Sequence, residues 1–279
     1  MSEFNLDLTN KVVVITGAGG VICGGIAKAL ASSKAKIAIL DLNLEAAQKV
    51  ADEVIALGGC AKAYKANVLE KATLEEVKTE INKDLGSIDI LINGAGGNNP
   101  RATTSNETNE LGKTYEKDFF ALDESGVRFV FDLNFLGTFI PTQVFAKDML
   151  GKKGCSILNI SSMNAFTPLT KIPAYSAAKA GISNFTEWLA VHFAPSGIRV
   201  NAIAPGFFVT NQNRALLFNE DGKPTPRTEK ILAATPMKRF GEIDEIMGAV
   251  KLLLSEENAS FITGTVIPID GGFNAYSGV

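Results

Sequence analysis

Short apolar runs and amphipathic stretches alternate along the whole chain. Residues 11–16, Lys-Val-Val-Val-Ile-Thr, are rich in β-branched side chains and unbroken, the pattern of a strand buried on both faces. Residues 22–32 have helical composition. The pattern then predicts a strand over 36–40, a helix over 44–57, a weaker strand over 61–66, a helix over 74–85 and a strand over 88–92. A long helix is expected over 124–149, a strand over 156–160 and a helix over 173–193. Strands over 199–203 and 265–269 enclose a helix over 244–254. Strand–helix units joined by right-handed crossovers make an α/β fold, a doubly wound parallel sheet of about seven strands. No linker divides it, so residues 1–279 are expected to form a single domain.

Two stretches break the alternation. Residues 98–122 are polar and irregular, rich in Thr, Asn and Glu, and residues 207–235 form another long connection containing Pro224 and Pro226. Structureless connections of this length are mobile or functional. Both follow strand ends, on the side where α/β sheets hold ligands.

Composition narrows the function. A formal charge of -3 offers no basic surface for nucleic acid and no polybasic membrane patch. The first residues are polar and acidic, unlike a signal peptide, and no apolar run approaches a membrane span. The three cysteines, Cys23, Cys60 and Cys155, have unrelated spacings. They suit a reducing cytoplasm and form neither a disulfide framework nor a metal cluster, so no metal site is expected. His192, the only histidine, sits in the apolar helical run 188–193 and reads as a helix-packing residue. Neither a zinc site nor a Ser-His-Asp triad can rest on it.

The chemistry concentrates between Ser161 and Lys179. Tyr175 and Lys179 stand four residues apart and leave one face of the expected helix. A free phenol ionises near pH ~10. A lysine ammonium one turn away is expected to lower that value and let the phenol exchange a proton nearer neutrality. Ser162 follows a buried strand, so its hydroxyl points into the crevice at the sheet's C-terminal mouth. Towards the N-terminus, Thr16-Gly17-Ala18-Gly19-Gly20-Val21-Ile22-Cys23 joins the first strand to the first helix. Such a turn lets backbone approach a pyrophosphate at a helix N-terminus. Asp41 ends the second strand, followed by Leu42, where a carboxylate binds ribose hydroxyls and repels a 2′-phosphate. With no arginine beside it, NAD(H) is favoured over NADP(H). Capping of the next helix by Asp41 is a compatible alternative.

Together, Ser162, Tyr175, Lys179 and the glycine-rich turn resemble the short-chain dehydrogenase/reductase family. The resemblance runs through nearly the whole chain and implies a Rossmann-like fold that binds NAD(H). Thr16 and Gly17 match the family's Thr-Gly-x-x-x-Gly-x-Gly pattern, but Val21 and Cys23 replace its second and third glycines. Gly19 and Gly20 are therefore expected to give the close approach, with Val21 and Ile22 opening the helix and Cys23 against the sheet. Asn67-Val68 stands where the family usually has Asp-Val near the adenine. Asn93-Gly94-Ala95-Gly96 is similar to its Asn-Asn-Ala-Gly, and Pro205-Gly206-Phe207-Phe208-Val209-Thr210 to its Pro-Gly-x-x-x-Thr loop at the nicotinamide carboxamide. Asn134 matches the family's active-site asparagine, whose helix distortion holds a water near the lysine; the alternative is a buried asparagine bonded to neighbouring backbone.

The resemblance implies hydride transfer between nicotinamide and a carbonyl or alcohol carbon. Tyr175 would be the general acid/base, Lys179 would lower its pKa and hold the nicotinamide ribose, and Ser162 would stabilise the substrate oxygen. Asn98, Asn99 and Arg101 in the first long connection, Asn211, Gln212, Asn213 and Arg214 in the second, and Asn164 and Lys171 between Ser162 and Tyr175 suit a hydroxyl-rich anion such as a sugar acid. Arg214 is the first choice for its carboxylate. The sequence also resembles the short-chain-type D-mannonate oxidoreductases (fructuronate reductases), in Gly-Gly-Val-Ile-Cys, Gly97-Asn98-Asn99-Pro100 and Gly206-Phe207-Phe208. Alternatives are another polyol or sugar-acid dehydrogenase such as a gluconate 5-dehydrogenase, a 3-oxoacyl thioester reductase, or a non-catalytic NAD-sensing protein. Family members commonly form homotetramers, so Phe131, Phe135, Phe139 and Phe145 belong either to a subunit interface or to the core.

Overall fold

The central strands are predominantly apolar because helices cover both of their faces. In the computed structural model, which describes residues 6–209 and 214–278, β1 (Val12–Thr16), β4 (Ile90–Asn93), β5 (Cys155–Ile160) and β6 (Ile198–Pro205) are buried at every position. With β2 (Lys36–Asp41), β3 (Cys60–Lys65) and β7 (Val266–Ile269) they form one parallel sheet among the described residues, in the order β3-β2-β1-β4-β5-β6-β7. The weak signal of β3 comes from its edge position. Lys62 and Lys65 are exposed there, and lysines on an edge strand discourage pairing with another chain.

Side chains alternate across the sheet with the strand period. Val13 and Ile15 point into a core shared with α1 (Val21–Ala29), α2 (Leu44–Ala56) and α9 (Met247–Leu254). Val12 and Val14 point into the opposite core, with α3 (Lys71–Asp84), α5 (Gly137–Phe145) and α6 (Pro173–Phe193). Strand order reverses between β1 and β4, and the C-terminal ends of those two strands splay into a crevice.

The expected helix over 124–149 is one continuous rod with a fault in it. α4 (Glu124–Phe131) passes through a π-helical turn, Asp132–Leu136, into α5 and a 3-10 turn, Ala146–Met149. By length and mean hydropathy this rod could cross a bilayer, which corrects the expectation that no stretch approaches a span. Half of its most apolar window is buried inside the fold, as befits a helix of the sheet-covering layer.

The second long connection is more ordered than its composition suggests. It contains α7 (Arg214–Leu217) and α8 (Pro226–Ala234). Pro226 occupies the first turn of α8 and Thr225 caps it, so a proline expected to interrupt structure starts a helix instead. Residues 98–122 hold only two 3-10 turns, Pro100–Ala102 and Phe119–Ala121. His192 is exposed and stacks on Trp188, one turn earlier on α6, at 4.7 Å between centroids; it does not pack between helices. Phe145 belongs to the core, whereas Phe131 is 40% exposed. Phe135 and Phe139 stack with each other and against Phe185.

Candidate functional site

The crevice at the β1/β4 reversal is a cleft of about 540 Å³. Its floor is set by Thr16, whose buried Oγ1 accepts the backbone N–H groups of Gly94 and Ala95 at 3.1 and 3.4 Å. The β1 and β4 loops are thereby clamped side by side. Gly17 adopts φ +64°, and a Cβ there would lie 2.8 Å from Ala95 Cα, so both the left-handed backbone and the close approach require glycine.

Two departures from the family's motifs, Cys23 in the glycine-rich turn and Gly94 after β4, fit each other. A Cβ on Gly94 would collide with the Cys23 sulfur. The thiol that replaces a glycine on α1 thus fills the space vacated by the glycine that replaces an asparagine after β4. Burial pushes the Cys23 thiol up to about 12, so it is an inert packing group. This pairing was hidden because the positions are 71 residues apart in sequence; only the two substitutions themselves hinted at it.

At the cleft's far wall stands Asp41. Its carboxylate accepts Gly19 N–H at 3.0 Å and Asn43 N–H at 2.9 Å. Asn43, not Asp41, caps α2 by accepting from Glu45 and Ala46, which removes capping as the purpose of Asp41. Leu42, Asn67 and Val68 flank it on the cleft, and among the described residues no arginine lines this end. Asn67 shapes its own turn, accepting Leu69 N–H and donating to Glu70. The N-cap of α1, Gly20, makes no side-chain cap bond, so that helix start presents backbone donors to an anion. The glycine cradle, the helix start beside Gly19, Gly20, Val21 and Ile22, and the Asp41 carboxylate together fit the pyrophosphate and adenosine ribose of a dinucleotide.

The opposite end of the cleft holds Ser162, Tyr175 and Lys179. Ser162 caps a 3-10 turn, accepting Asn164 N–H, and its hydroxyl meets the Tyr175 phenol. Lys179 is only 4% exposed; its Nζ donates to Ile160 C=O at 2.8 Å and lies 5.7 Å from the Tyr175 ring centroid. The phenol is pushed above its ordinary value by burial, with the Ser162 hydrogen bond pulling the other way. Lys179 was expected to lower it; the dominant influence is desolvation, which also drives the Lys179 ammonium itself down to about 8.

That depressed lysine makes a stability prediction. Between pH 8 and 10.5 the unfolded lysine holds a proton that the folded one has lost, so stability rises with pH across that window. The deficit below pH 8 is on the order of 3 kcal/mol. Urea unfolding should therefore show wild type gaining roughly that much relative to Lys179→Met between pH 7.5 and 10.5. A constant difference would mean the lysine is not desolvated.

The π-turn in the long helix has a local cause at Asn134. Its Nδ2 donates to Val130 C=O and Gly97 C=O, both at 2.7 Å, and its Oδ1 accepts Gly97 N–H at 3.2 Å. Thr138 Oγ1 donates to Asn134 C=O. Carbonyls released by the widened turn are thus taken up by side chains. A Cβ on Gly96 would meet both Asn134 Oδ1 and Lys179 Nζ, at 2.7 and 3.2 Å, so the asparagine sits beside the lysine and ties the β4 loop to the helix.

Several expected site residues lie elsewhere. Asn93 does not line the cleft: its buried amide donates to Thr142 and to Asn159, its cross-strand partner, because strand alternation turns it into the core. Phe208 is buried beneath Gly241, while Pro205 and Gly206 do line the cleft. Arg101 is tied to Ser125 at 2.9 Å and to Asp123 at 3.6 Å; Asn99 caps the Pro100–Ala102 turn and Asn98 donates to Thr103. Asn164 is buried, its Oδ1 without a partner among the described residues. Arg214 is exposed, over the Phe218 ring at 5.7 Å. Thr210, Asn211, Gln212 and Asn213 lie outside the described residues.

Residues 17–274 match the family model described as Enoyl-(Acyl carrier protein) reductase. The chain is 63% identical over 277 residues to an uncharacterised oxidoreductase of Haemophilus influenzae, covering 99% of this chain and 97% of that one. It is 51% identical to the uncharacterised oxidoreductase UxuB of Bacillus subtilis, over the full length of both. Among solved structures, a Haemophilus influenzae protein with bound NAD, provisionally assigned as a D-mannonate oxidoreductase, superposes with a TM-score of 0.95 at 62% identity, over 99% of each chain.

Proposed function

The chain belongs to the short-chain dehydrogenase/reductase family, and from that premise we propose that it interconverts D-fructuronate and D-mannonate with NAD(H). The observation that carries the reading is the convergence of Ser162, Tyr175 and Lys179 on one end of a cleft whose other end is the Asp41 carboxylate. The bound NAD and D-mannonate assignment of the structure 62% identical to this chain support the cofactor and the substrate.

When bound, the cofactor supplies or accepts the hydride. The chain's part is to place and protonate the substrate oxygen. In reduction, Ser162 donates a hydrogen bond to the carbonyl oxygen and Tyr175 delivers the phenolic proton to it. Burial favours the protonated phenol, which suits a proton donor. Lys179, at about 8, is mostly ammonium at neutral pH and stabilises the phenolate left behind. Asn134 is a positioning residue that fixes the β4 loop against the helix carrying the π-turn. Because the phenol stands high, alcohol oxidation should speed up as pH rises through the alkaline range, and carbonyl reduction should slow.

Asp41 discriminates the cofactor. Asp41→Ala should weaken NADH binding on the order of 10-fold to 100-fold, the scale of hydrogen bonds to a charged group, and narrow the preference over NADPH. Fluorescence titration with both cofactors measures this; unchanged selectivity would remove Asp41 from the ribose site. The substrate is tested by NADH oxidation with D-fructuronate, a keto-gluconate and a 3-oxoacyl thioester. D-fructuronate should give the highest kcat/KM, and turnover confined to either rival would replace this reading. Free thiols at Cys23, Cys60 and Cys155 support a cytoplasmic setting. Exposed Phe131, Trp188 and Val191 on the α4 and α6 side support a homo-oligomer, with a tetramer expected.

A further inference from the structure

A second recess, of about 380 Å³, adjoins the segment between the catalytic serine and tyrosine. One wall is Leu169, Thr170 and Lys171, from the turn that ends four residues before Tyr175; another is Phe207, next to the cleft-lining Gly206. The far wall is α8, which contributes Arg227 and Lys230. Three cations face one carboxylate, Glu107, from the polar insertion. Lys230 pairs with Glu107 at 2.8 Å, tying the insertion to α8. Lys171 also lowers the Glu107 carboxyl, after Lys230. One carboxylate cannot balance three cations, so the recess keeps a positive surplus shared by Lys171 and Arg227.

The recess is built rather than incidental. Lys171 holds φ +72°, a left-handed conformation costing about 1–2 kcal/mol for a side-chain-bearing residue. Its carbonyl is fixed there by Thr104 N–H at 2.9 Å, again from the insertion. Thr167 Oγ1 donates to Asn274, and the Phe207 and Phe273 rings meet edge to face at 5.4 Å, so the C-terminal segment braces the same walls. The two long connections and the C-terminal segment converge on a positively charged pocket, one wall of which, Lys171, stands four residues before Tyr175.

We infer that Lys171 and Arg227 bind the carboxylate of the substrate acid, and so select anionic sugars over neutral ones. The inference rests on the sugar-acid reading above. In such a substrate the carboxylate and the reacting carbon lie towards opposite ends of one chain, and only three residues of one segment separate the recess wall at Lys171 from Tyr175. Arg214 lines neither the cleft nor the recess, and Arg101 is already paired, so neither takes this part.

The test compares Lys171→Met, Arg227→Met and the double variant with wild type, with Arg214→Ala as control, using D-fructuronate and D-fructose as the acidic and neutral ketoses. Each single variant should raise KM for D-fructuronate tenfold or more, the double at least a hundredfold, with the loss on KM rather than kcat. Arg227→Lys should recover part of it. The acid-to-neutral ratio of kcat/KM should fall in step, while Arg214→Ala stays within twofold of wild type. If the double variant keeps the wild-type KM and acid preference, the carboxylate binds elsewhere and this inference fails while the sugar-acid reading stands. If wild type itself shows no preference for the acid, both fail together.

Discussion

Tyr175→Phe is expected to lower kcat by on the order of 10²-fold to 10⁴-fold, the range of a lost general acid, with NADH affinity within about twofold of wild type. The ring of Tyr175 stays where it is packed; only the proton carrier is removed. The Ser162 hydroxyl that meets the phenol can still polarise a carbonyl, which sets the residual rate. Single-turnover kinetics with D-fructuronate, alongside a fluorescence titration of NADH, separates chemistry from binding. Turnover near wild type would take Tyr175 out of the mechanism. A parallel loss of NADH binding would instead indicate a collapsed cleft.

The second large effect concerns the complementary pair. Gly94→Asn forces a side chain into the Cys23 sulfur and to 3.0 Å from Thr16 C=O. Overpacking against fixed backbone costs about 1–3 kcal/mol or more, and the displaced atoms belong to the loop clamp formed by Thr16. Thermal denaturation should show Tm falling by roughly 2–4 °C per kcal/mol, and NADH affinity should fall with it. Cys23→Gly alone removes a packed sulfur and places another glycine in α1, a helix-interior cost of about 1 kcal/mol. The double variant should be more stable than the two single losses predict, with a coupling of about 1–3 kcal/mol. Strict additivity would show that the two departures are independent.

The alternation of buried strands and amphipathic helices was legible because each periodicity is local. It follows from which face of a short segment meets the core. The spacing of Tyr175 and Lys179 on one helix was legible for the same reason, as was Asp41 at a strand end. The composition of residues 207–235 misled because proline marks both interruptions and helix starts, and only Thr225 capping the turn decides which. Asn93 misled because one residue of strand register sends a side chain to the core instead of the cleft.

By itself, then, the chain determined a wound parallel sheet, the helix face shared by Tyr175 and Lys179, and the family to which their pattern points. Tertiary structure alone decided that the Cys23 thiol occupies the room left at Gly94, that burial outweighs the lysine in setting the phenol's proton affinity, and that Lys171 and Arg227 face one recess. Each of those depends on distances between segments far apart in sequence and on how completely water is excluded from between them. No local pattern encodes either quantity.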